Sequence, residues 1–202
     1  MHALEMQLRI LQAQIEPHFL FNTLANVRHL YRSSTEEGEG MLDHLITYLR
    51  SVMQDLRSDT STVAQEFDLV MHYLAIMKIR MGERLSYSFS NPASLAQTDF
   101  PPAMLVSLVE NAIKHGLHAH EHGELQISAT QVADELHVAV ADNGPGFSSV
   151  QGTGVGLSNI RQRLEAMYGD RARLEVGAPA GGGFTATIVV PLAAAPASRL
   201  AA

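Results

Sequence analysis

Apolar residues in the first part of the chain recur with the spacing of amphipathic helices. The first seam contains Leu4, Leu8, Leu11 and Ile15 and resumes beyond Pro17 at Leu20, Leu24, Val27 and Tyr31. After a polar, glycine-containing break at residues 33–40, a second seam contains Leu42, Leu45, Leu49, Val52 and Leu56. Spacings of three and four residues predict helices that need apolar partners. Because the connection is short, we predict an antiparallel hairpin over residues 1–58, which a second copy would complete as a four-helix bundle.

The first seam is interrupted at Pro17, where a helix loses one backbone hydrogen bond and kinks. His18 lies about 200° from Leu20 on a helical wheel, so we expect its imidazole to face outward. Gln14 and Asn22, four residues to either side, share its face. An outward histidine is compatible with an ordinary polar surface, and also with a nucleophile for a phosphoryl group.

The rest of the chain, residues 59–192, mixes helical and strand-like patterns. Thr62 with Gln65 resembles a capping box, and the helix that follows is predicted to bury Phe67, Val70, Met71, Leu74 and Met77. Alternating apolar positions predict strands at residues 85–89, 124–130, 135–141, 172–177 and 184–190. The alanine-rich tail, residues 193–202, is expected to be disordered.

Residues 105–116 are predicted to form a central helix in which Gly116 is a typical stop. Its apolar face contains Leu105, Leu108, Val109 and Ala112. Glu110, Asn111 and Lys114 occupy the opposite face. Glu110 and Lys114 would make an ordinary solvated ion pair. Alternatively, this face suits a cation that carries phosphates, with the Asn111 oxygen as a ligand of Mg²⁺ and Lys114 as a positive charge for phosphate.

The strands at residues 124–130 and 135–141 are predicted to form a hairpin with Ala133-Asp134 at or near its turn, and two glycine-rich segments follow it. Asp142 begins the turn Asp-Asn-Gly-Pro-Gly at residues 142–146. Its ionised carboxylate would accept a hydrogen bond from the exocyclic amine of adenine, whereas guanine presents an oxo group there. Gly144 and Gly146 let the backbone approach a flat base. A second run, weak as a signal by itself, has the composition of a mobile phosphate-binding loop before a helix and contains Gly152, Gly154 and Gly156.

Composition narrows the possible functions. The chain of 202 residues has a net charge of −7 and no basic stripe, which argues against nucleic-acid binding. The absence of cysteine excludes disulfides and thiolate chemistry. Apolar runs fall short of the roughly 20 residues of a membrane span, so we expect no membrane contact by this chain itself. The histidines of one short segment lack the usual spacing of zinc ligands, and a polar loop accounts for His118, His120 and His122.

The order of these motifs resembles that of a known ATPase superfamily. Glu110-Asn111 with Lys114, then Asp142-x-Gly144-x-Gly146, then Gly152-x-Gly154-x-Gly156 closely resembles the N, G1 and G2 boxes of the gyrase, Hsp90, histidine kinase and MutL ATPases. Upstream, residues 14–23 read Gln-Ile-Glu-Pro-His-Phe-Leu-Phe-Asn-Thr. This segment resembles the phosphoacceptor box of the LytS-type branch of sensor histidine kinases.

The resemblance implies an α+β histidine kinase core with two parts. A dimerising helical hairpin, residues 1–58, would carry the phosphoacceptor His18, and a Bergerat-type α/β sandwich, residues 59–192, would bind ATP. A homodimer would phosphorylate itself and pass the phosphoryl group to an aspartate of a response-regulator receiver domain. Asn22, one turn from His18, would orient water for the reverse, phosphatase reaction.

In the sandwich, the resemblance implies a role for each box. Asn111 would be the Mg²⁺ ligand, Glu110 a base or polar assistant near the γ-phosphate, and Asp142 the reader of adenine. Phosphate, base and lid contacts would come from Lys114, His115, Gly144, Gly146, Gly152, Gly154, Gly156 and Leu157.

Two positions depart from the superfamily pattern. Many kinases of other branches place an acidic residue directly after the histidine, where this chain has Phe19. Glu16 lies on roughly the opposite helical face, so the proton acceptor is not identified. Superfamily members often have a threonine directly after the last glycines. Phe184 stands there, and Thr185 or Thr187 is the candidate substitute.

The main alternative function is an ATP-switched binding module or chaperone-like ATPase of the same superfamily, and a third is a serine kinase that acts on an anti-sigma antagonist. Neither needs a histidine box on a dimerising hairpin, which favours the histidine kinase. Proteins of this kind usually carry a sensor ahead of the phosphoacceptor helix. The chain is therefore expected to be the cytoplasmic part of an inner-membrane sensor protein.

Overall fold

The computed structural model describes residues 17–55, 58, 60–117, 122–144, 146, 155–179 and 182–192. Some expectations from the sequence fall outside these residues. They concern the seam before Pro17 with its kink, Leu56, His118, His120, Gly152, Gly154 and the C-terminal tail. Within the described ranges, no helix combines the length and apolar character needed to cross a bilayer.

Two long helices, α1 (Pro17–Ser33) and α2 (Thr35–Asp55), form the predicted hairpin. The polar break expected at residues 33–40 is wrong, because only Ser34 separates the helices. The Ser34 hydroxyl accepts the Glu37 N–H at 3.4 Å, as a helix N-cap does. Acidic residues in the first turn of α2 also complement the helix dipole. Local capping therefore lets the polar segment continue as helix.

The hairpin buries only part of the predicted α1 seam. Val27 is buried and Leu20 packs against the core, as predicted. Phe19, Thr23 and Val27 are buried, whereas Leu24 and Tyr31 are 44% and 41% exposed. On α2 the buried face contains Met41, Leu45, Tyr48 and Val52. The outward apolar residues are consistent with the expectation that the seam needs a partner outside this chain.

Helix α3 (Val63–Met81) begins with the predicted capping box. The Gln65 N–H bonds the Thr62 hydroxyl, and the Gln65 side chain returns to the Thr62 N–H at 3.0 Å. Four of the five apolar residues predicted to be buried are buried, namely Phe67, Val70, Leu74 and Met77. Met71 is 42% exposed, so its prediction was wrong.

A five-stranded mixed sheet forms the second layer. Its strands are β2 (Leu85–Ser90), β4 (Gly123–Val132), β5 (Glu135–Asp142), β6 (Arg173–Gly177) and β7 (Phe184–Pro191), in the order β2-β4-β5-β7-β6. Only the β2–β4 pair is parallel. The predicted hairpin of β4 and β5 is confirmed, with Ala133 and Asp134 at its turn. The predicted α/β sandwich is therefore present, with its helices on one face of the sheet.

The central helix, α4 (Met104–Asn111), lies between α3 and the sheet. Its predicted apolar face is confirmed, because Leu105, Leu108, Val109 and Ala112 are all buried. A small antiparallel pair, β1 (Ser61–Thr62) with β3 (Asp99–Phe100), holds the start of α3 near the start of α4. The last helix, α5 (Val155–Tyr168), packs against α4 and leads to β6.

A buried carboxylate caps the start of α4. Glu66 on α3 is 1% exposed and accepts the N–H of Ala103 at 2.8 Å and of Leu105 at 3.2 Å. Ala103 has a positive φ of 55° immediately before the helix. These N–H groups would otherwise have no partner within the helix, so Glu66 determines where α4 starts.

Candidate active site

Asp142 is the last residue of β5 and faces the helical layer. Leu136, Val138 and Val140 precede it at alternate positions and are buried in the core between sheet and helices, and Asp142 itself is 7% exposed. Its Oδ1 accepts the Gly144 N–H at 2.8 Å. The predicted carboxylate is therefore held in place at the end of a strand.

Glycine is required on both sides of the Asp142 carboxylate. A Cβ on Gly116 would lie 2.8 Å from the Asp142 carboxyl group, and a Cβ on Gly144 would lie 2.4 Å from the Gly116 carbonyl oxygen. Gly146, with φ of 75°, adopts a backbone conformation that favours glycine. The two backbone segments therefore pack directly against the Asp142 carboxyl group and against each other.

Gly116 has a different role from the predicted helix stop. Helix α4 continues beyond Asn111 as a π-helical turn, Ala112–Leu117, that contains Gly116 and carries Lys114 and His115 exposed on its surface. Wider turns of this kind occur frequently at functional sites. The glycine is needed because the turn passes against Asp142.

Asn143, predicted only as part of a turn, has a structural role at the site. Its side-chain oxygen accepts the Glu124 N–H at 2.8 Å, and its amide donates to the His122 carbonyl at 3.1 Å. Asn143 thereby ties the end of β5 to the beginning of β4. An Asn directly after a strand-terminating Asp was the available signal.

Thr185 does not join Asp142. In β7, Ala186, Ile188 and Val190 are buried in the core between sheet and helices, so the odd-numbered side chains lie on the other face of the sheet. Phe184 pairs with Asp142 across the strands, and Thr185 pairs with Ala141. The expectation that Thr185 substitutes at the base site is therefore corrected, and the same alternation applies to Thr187.

Asn111 meets the first turn of α5. Asn111 is half-buried, and a Cβ on Gly156 would lie 2.6 Å from its Oδ1. A larger residue here would have to displace this carboxamide or the start of α5. Leu157 is half-buried and packs against the hydrophobic core, so it anchors the helix that follows the predicted phosphate-binding loop.

Glu110, the neighbour of Asn111, is contacted by the hairpin. It is half-buried and accepts a hydrogen bond from the hydroxyl of Tyr48 on α2. Burial, reinforced by the Glu110 carboxylate, raises the pKa of Tyr48, so the phenol stays protonated and acts as the donor. Tyr48 was not among the predicted site residues; its signal in the sequence was a polar aromatic group on the buried side of α2.

His18 is exposed on the first described turn of α1, as predicted. The Asn22 side-chain nitrogen lies 3.1 Å from Nε2 and 3.2 Å from Nδ1 of His18. The following residue, Phe19, points inward, with its ring centroid 5.6 Å from that of Tyr48 and 5.2 Å from that of Tyr73. Helix α1 therefore exposes the imidazole of His18 and directs the ring of Phe19 inward, onto Tyr48, which contacts Glu110.

The zinc alternative at His118, His120 and His122 stays untested, because the first two histidines lie outside the residues that the structure describes. His122 is exposed, and no group of three His, Cys, Asp or Glu residues among the described residues could hold a metal ion. Asn111, an oxygen donor next to exposed Lys114 and His115, remains suited to Mg²⁺ bound together with phosphate.

Comparison with known families gives two matches. Residues 6–85 match the family described as histidine kinase. Residues 99–194 match the family described as histidine kinase-, DNA gyrase B- and HSP90-like ATPase. The second match contains Asn111, Asp142 and Gly156, and the first contains His18.

Similar proteins are much longer than this chain. The chain is 32% identical over 182 residues to the sensor protein LytS of Staphylococcus haemolyticus, covering 83% of this chain and 31% of LytS. It is 30% identical over 193 residues to the sensor histidine kinase YesM of Bacillus subtilis, covering 93% of this chain and 33% of YesM. The chain thus spans about a third of the length of these relatives.

A solved structure supports the fold. The histidine kinase domain of the blue-light activated kinase EL346 from Erythrobacter litoralis superposes with a TM-score of 0.53 at 17% identity. The match covers 95% of this chain and 93% of that domain. At this identity the similarity concerns the fold of the hairpin and the sandwich, not their residues.

The sandwich with its Asp142 and Asn111 boxes is an ATP-binding domain of the histidine kinase, gyrase and Hsp90 class, joined to a hairpin that carries an exposed histidine. The similarity to LytS and YesM narrows this class to one branch of the histidine kinases. The chain belongs to the LytS-type sensor histidine kinases and contains their kinase core.

Proposed function

We propose that this chain transfers the γ-phosphoryl group of ATP to His18 and then to an aspartate of a response-regulator receiver domain. One observation carries the proposal. A single chain joins an ATP-binding sandwich to an exposed imidazole on α1, and buried aromatic contacts connect α1 to Glu110. Binding modules and ATPases of the same superfamily do not need the exposed histidine.

In the proposal, the base of ATP lies at Asp142. The carboxylate accepts a hydrogen bond from the exocyclic amine of adenine, and Gly144 and Gly146 line the base. The close approach of Gly116 and Gly144 to the Asp142 carboxyl group supports this placement, because no side chain separates the backbone from the carboxylate. Guanine is disfavoured because its oxo group would face an acceptor.

The phosphates are proposed to lie toward the exposed π-helical turn. Asn111 would hold Mg²⁺, which neutralises negative charge on the phosphate oxygens when bound. Lys114 and His115 would contact the phosphates, and their exposure supports this role. Gly152 and Gly154 would belong to the lid with Gly156, whose contact with Asn111 brings the end of that lid to the metal ligand.

The transfer step follows from the chemistry of a neutral imidazole. A ring nitrogen of His18 forms a bond to the γ-phosphorus while the bond from that phosphorus to the bridging oxygen breaks, and ADP leaves with the electron pair. The amide of Asn22, 3.1 Å from Nε2, would orient the ring and, in the phosphatase reaction, a water. Glu110 would assist as a polar group or base near the γ-phosphate.

A homodimer is proposed because the hairpin exposes an apolar surface. Two helices leave one side of their apolar seams open, and a second hairpin would close it as a four-helix bundle. Within the described part of the hairpin, the exposed large apolar residues are Phe21, Leu24, Tyr31, Ile46 and Met53. The proposed dimerising unit remains residues 1–58, with the ATP-binding unit at residues 59–192.

The proposed location is the cytoplasm, where ATP and response regulators are available, as part of an inner-membrane sensor protein. The relatives that support this location are named sensor proteins, and this chain corresponds to about a third of their length. The signal-receiving region and the cognate regulator belong to that larger system.

Incubation with γ-labelled ATP and Mg²⁺ tests the proposal. The wild type should take a label that is acid-labile and base-stable, as a phosphohistidine is. His18→Gln and Asn111→Ala should lose the label, whereas His29→Gln, a change at another exposed histidine of α1, should keep it. Binding of ATP without any label on the wild type would instead favour the ATP-switched binding module.

A further inference from the structure

Tyr48 is buried where the hairpin meets the ATP-binding unit. Its side chain on α2 is 2% exposed. Its ring centroid lies 5.6 Å from that of Phe19 on α1 and 5.9 Å from that of Tyr73 on α3. One tyrosine therefore packs against the helix that carries His18 and against the first helix of the sandwich.

The hydroxyl of Tyr48 reaches a functional carboxylate. It donates a hydrogen bond to Glu110 on α4, the residue directly before Asn111. A phenol O–H that donates to an ionised carboxylate forms a charge-assisted bond, which is stronger and more directional than a bond between neutral groups. A residue of the helical hairpin thus contacts Glu110 and favours one orientation of its carboxylate.

The same side chain links the two partners of the proposed reaction. Phe19 directly follows His18, and it packs on the ring whose hydroxyl orients Glu110. A shift of α1 that moved Phe19 would move Tyr48, and hence the carboxylate. The packed rings of Phe19 and Tyr48 thus connect the phosphoacceptor helix to the Glu110 carboxylate.

We propose that Tyr48 is a positioning residue for phosphoryl transfer and holds the Glu110 carboxylate in its working orientation. That orientation depends on how α1 packs against Tyr48. The inference rests on the proposed roles of His18 and Glu110. Because Tyr48 is 2% exposed, it would touch neither ATP nor the transferred group. Its contribution should therefore appear in the rate of transfer at saturating ATP and not in ATP affinity.

The substitution Tyr48→Phe removes only the hydroxyl and keeps the ring that packs on Phe19. We expect the dissociation constant for ATP to stay within about twofold of wild type and the labelling rate of His18 at saturating ATP to fall about tenfold. Tyr168→Phe is the matched control, because Tyr168 is also a buried tyrosine but lies at the end of α5. This control should label at the wild-type rate.

A double-mutant cycle separates positioning from packing. In a Glu110→Gln background, which weakens the acceptor, Tyr48→Phe should slow labelling much less than it does in the wild type. An equal slowing in both backgrounds would show that Tyr48 acts only through packing, and would overturn the inference. Equal or faster labelling by Tyr48→Phe alone would also overturn it. Failure of the proposed function is a different result, because then the wild type itself takes no label on His18.

Discussion

Nδ1 of His44 on α2 lies 3.0 Å from Nδ1 of His72 on α3, with the ring centroids 5.3 Å apart. One imidazole must donate and the other accept, so the contact needs at least one neutral ring. Burial and the neighbouring His72 lower the pKa of His44, and Asp43 opposes them. The interface between hairpin and sandwich therefore contains a pair that favours the neutral form of His44.

This pair predicts a loss of stability in mild acid. The folded protein takes up a proton at His44 less readily than the unfolded chain, whose histidines titrate near 6.5. Between the lowered pKa and that value the unfolded state binds more protons, so stability falls as the pH falls through this window. Urea unfolding at pH 7.5 and pH 5.5, chosen to be about one unit on either side of the ordinary histidine value, should show the loss.

His44→Gln should reduce this loss, because the titrating group is gone. His29→Gln, at an exposed position of α1, is the control and should leave the pH dependence as in the wild type. If both variants lose the same stability between the two pH values as the wild type does, the His44–His72 pair does not contribute.

We expect the substitution Gly156→Ala to weaken ATP binding for a steric reason. A Cβ there would lie 2.6 Å from Oδ1 and 2.8 Å from Nδ2 of Asn111, so Gly156→Ala must displace the carboxamide or the start of α5. We expect ATP affinity in the presence of Mg²⁺ to fall about tenfold or more, measured by calorimetry. Gly40→Ala is the control, because a Cβ on this α2 glycine meets nothing within 4 Å. That variant should bind ATP normally and be up to about 1 kcal/mol more stable, as alanine favours helix.

If the Asp142 carboxylate reads the base, we expect it to be the source of a preference for ATP over GTP. Asp142→Asn keeps an oxygen that can accept the Gly144 N–H. Its NH₂ group, however, is a donor, and it would replace the carboxylate oxygen that accepts the exocyclic amine of adenine. ATP affinity should fall about ten- to hundredfold, and discrimination against GTP should shrink. Competition of both nucleotides against a fluorescent analogue measures this, and an unchanged ATP-to-GTP ratio would contradict the assignment of Asp142 as the base reader.

Glu66 predicts a large effect on stability. Glu66→Ala leaves the N–H groups of Ala103 and Leu105 without their buried acceptor, which should cost about 2–4 kcal/mol in the free energy of unfolding. Asp68→Ala removes an exposed carboxylate from the same helix and should cost far less. Urea denaturation compares the two. Similar small losses for both would mean that Glu66 is not the principal cap of α4.

Local patterns were sufficient to predict the elements near Asp142. The apolar face of α4, the β4–β5 hairpin and the Thr62–Gln65 capping box were confirmed, because each depends on residues a few positions apart. The family resemblance was also visible in the sequence, since its boxes are short and occur in order. The outward direction of His18 followed from helical periodicity alone.

Tertiary structure decided the contacts between distant segments. Glu66 reaches Ala103 across 37 residues, and Tyr48 reaches Glu110 across the interface of two units. The side of the sheet on which Thr185 lies depends on the register of β7 against β5, which no local pattern contains. Two side chains with the same local structural preference can have different neighbours in the folded chain. The sequence by itself therefore determined the elements and the motifs, and only the packing of these elements decided which residues orient the candidate site.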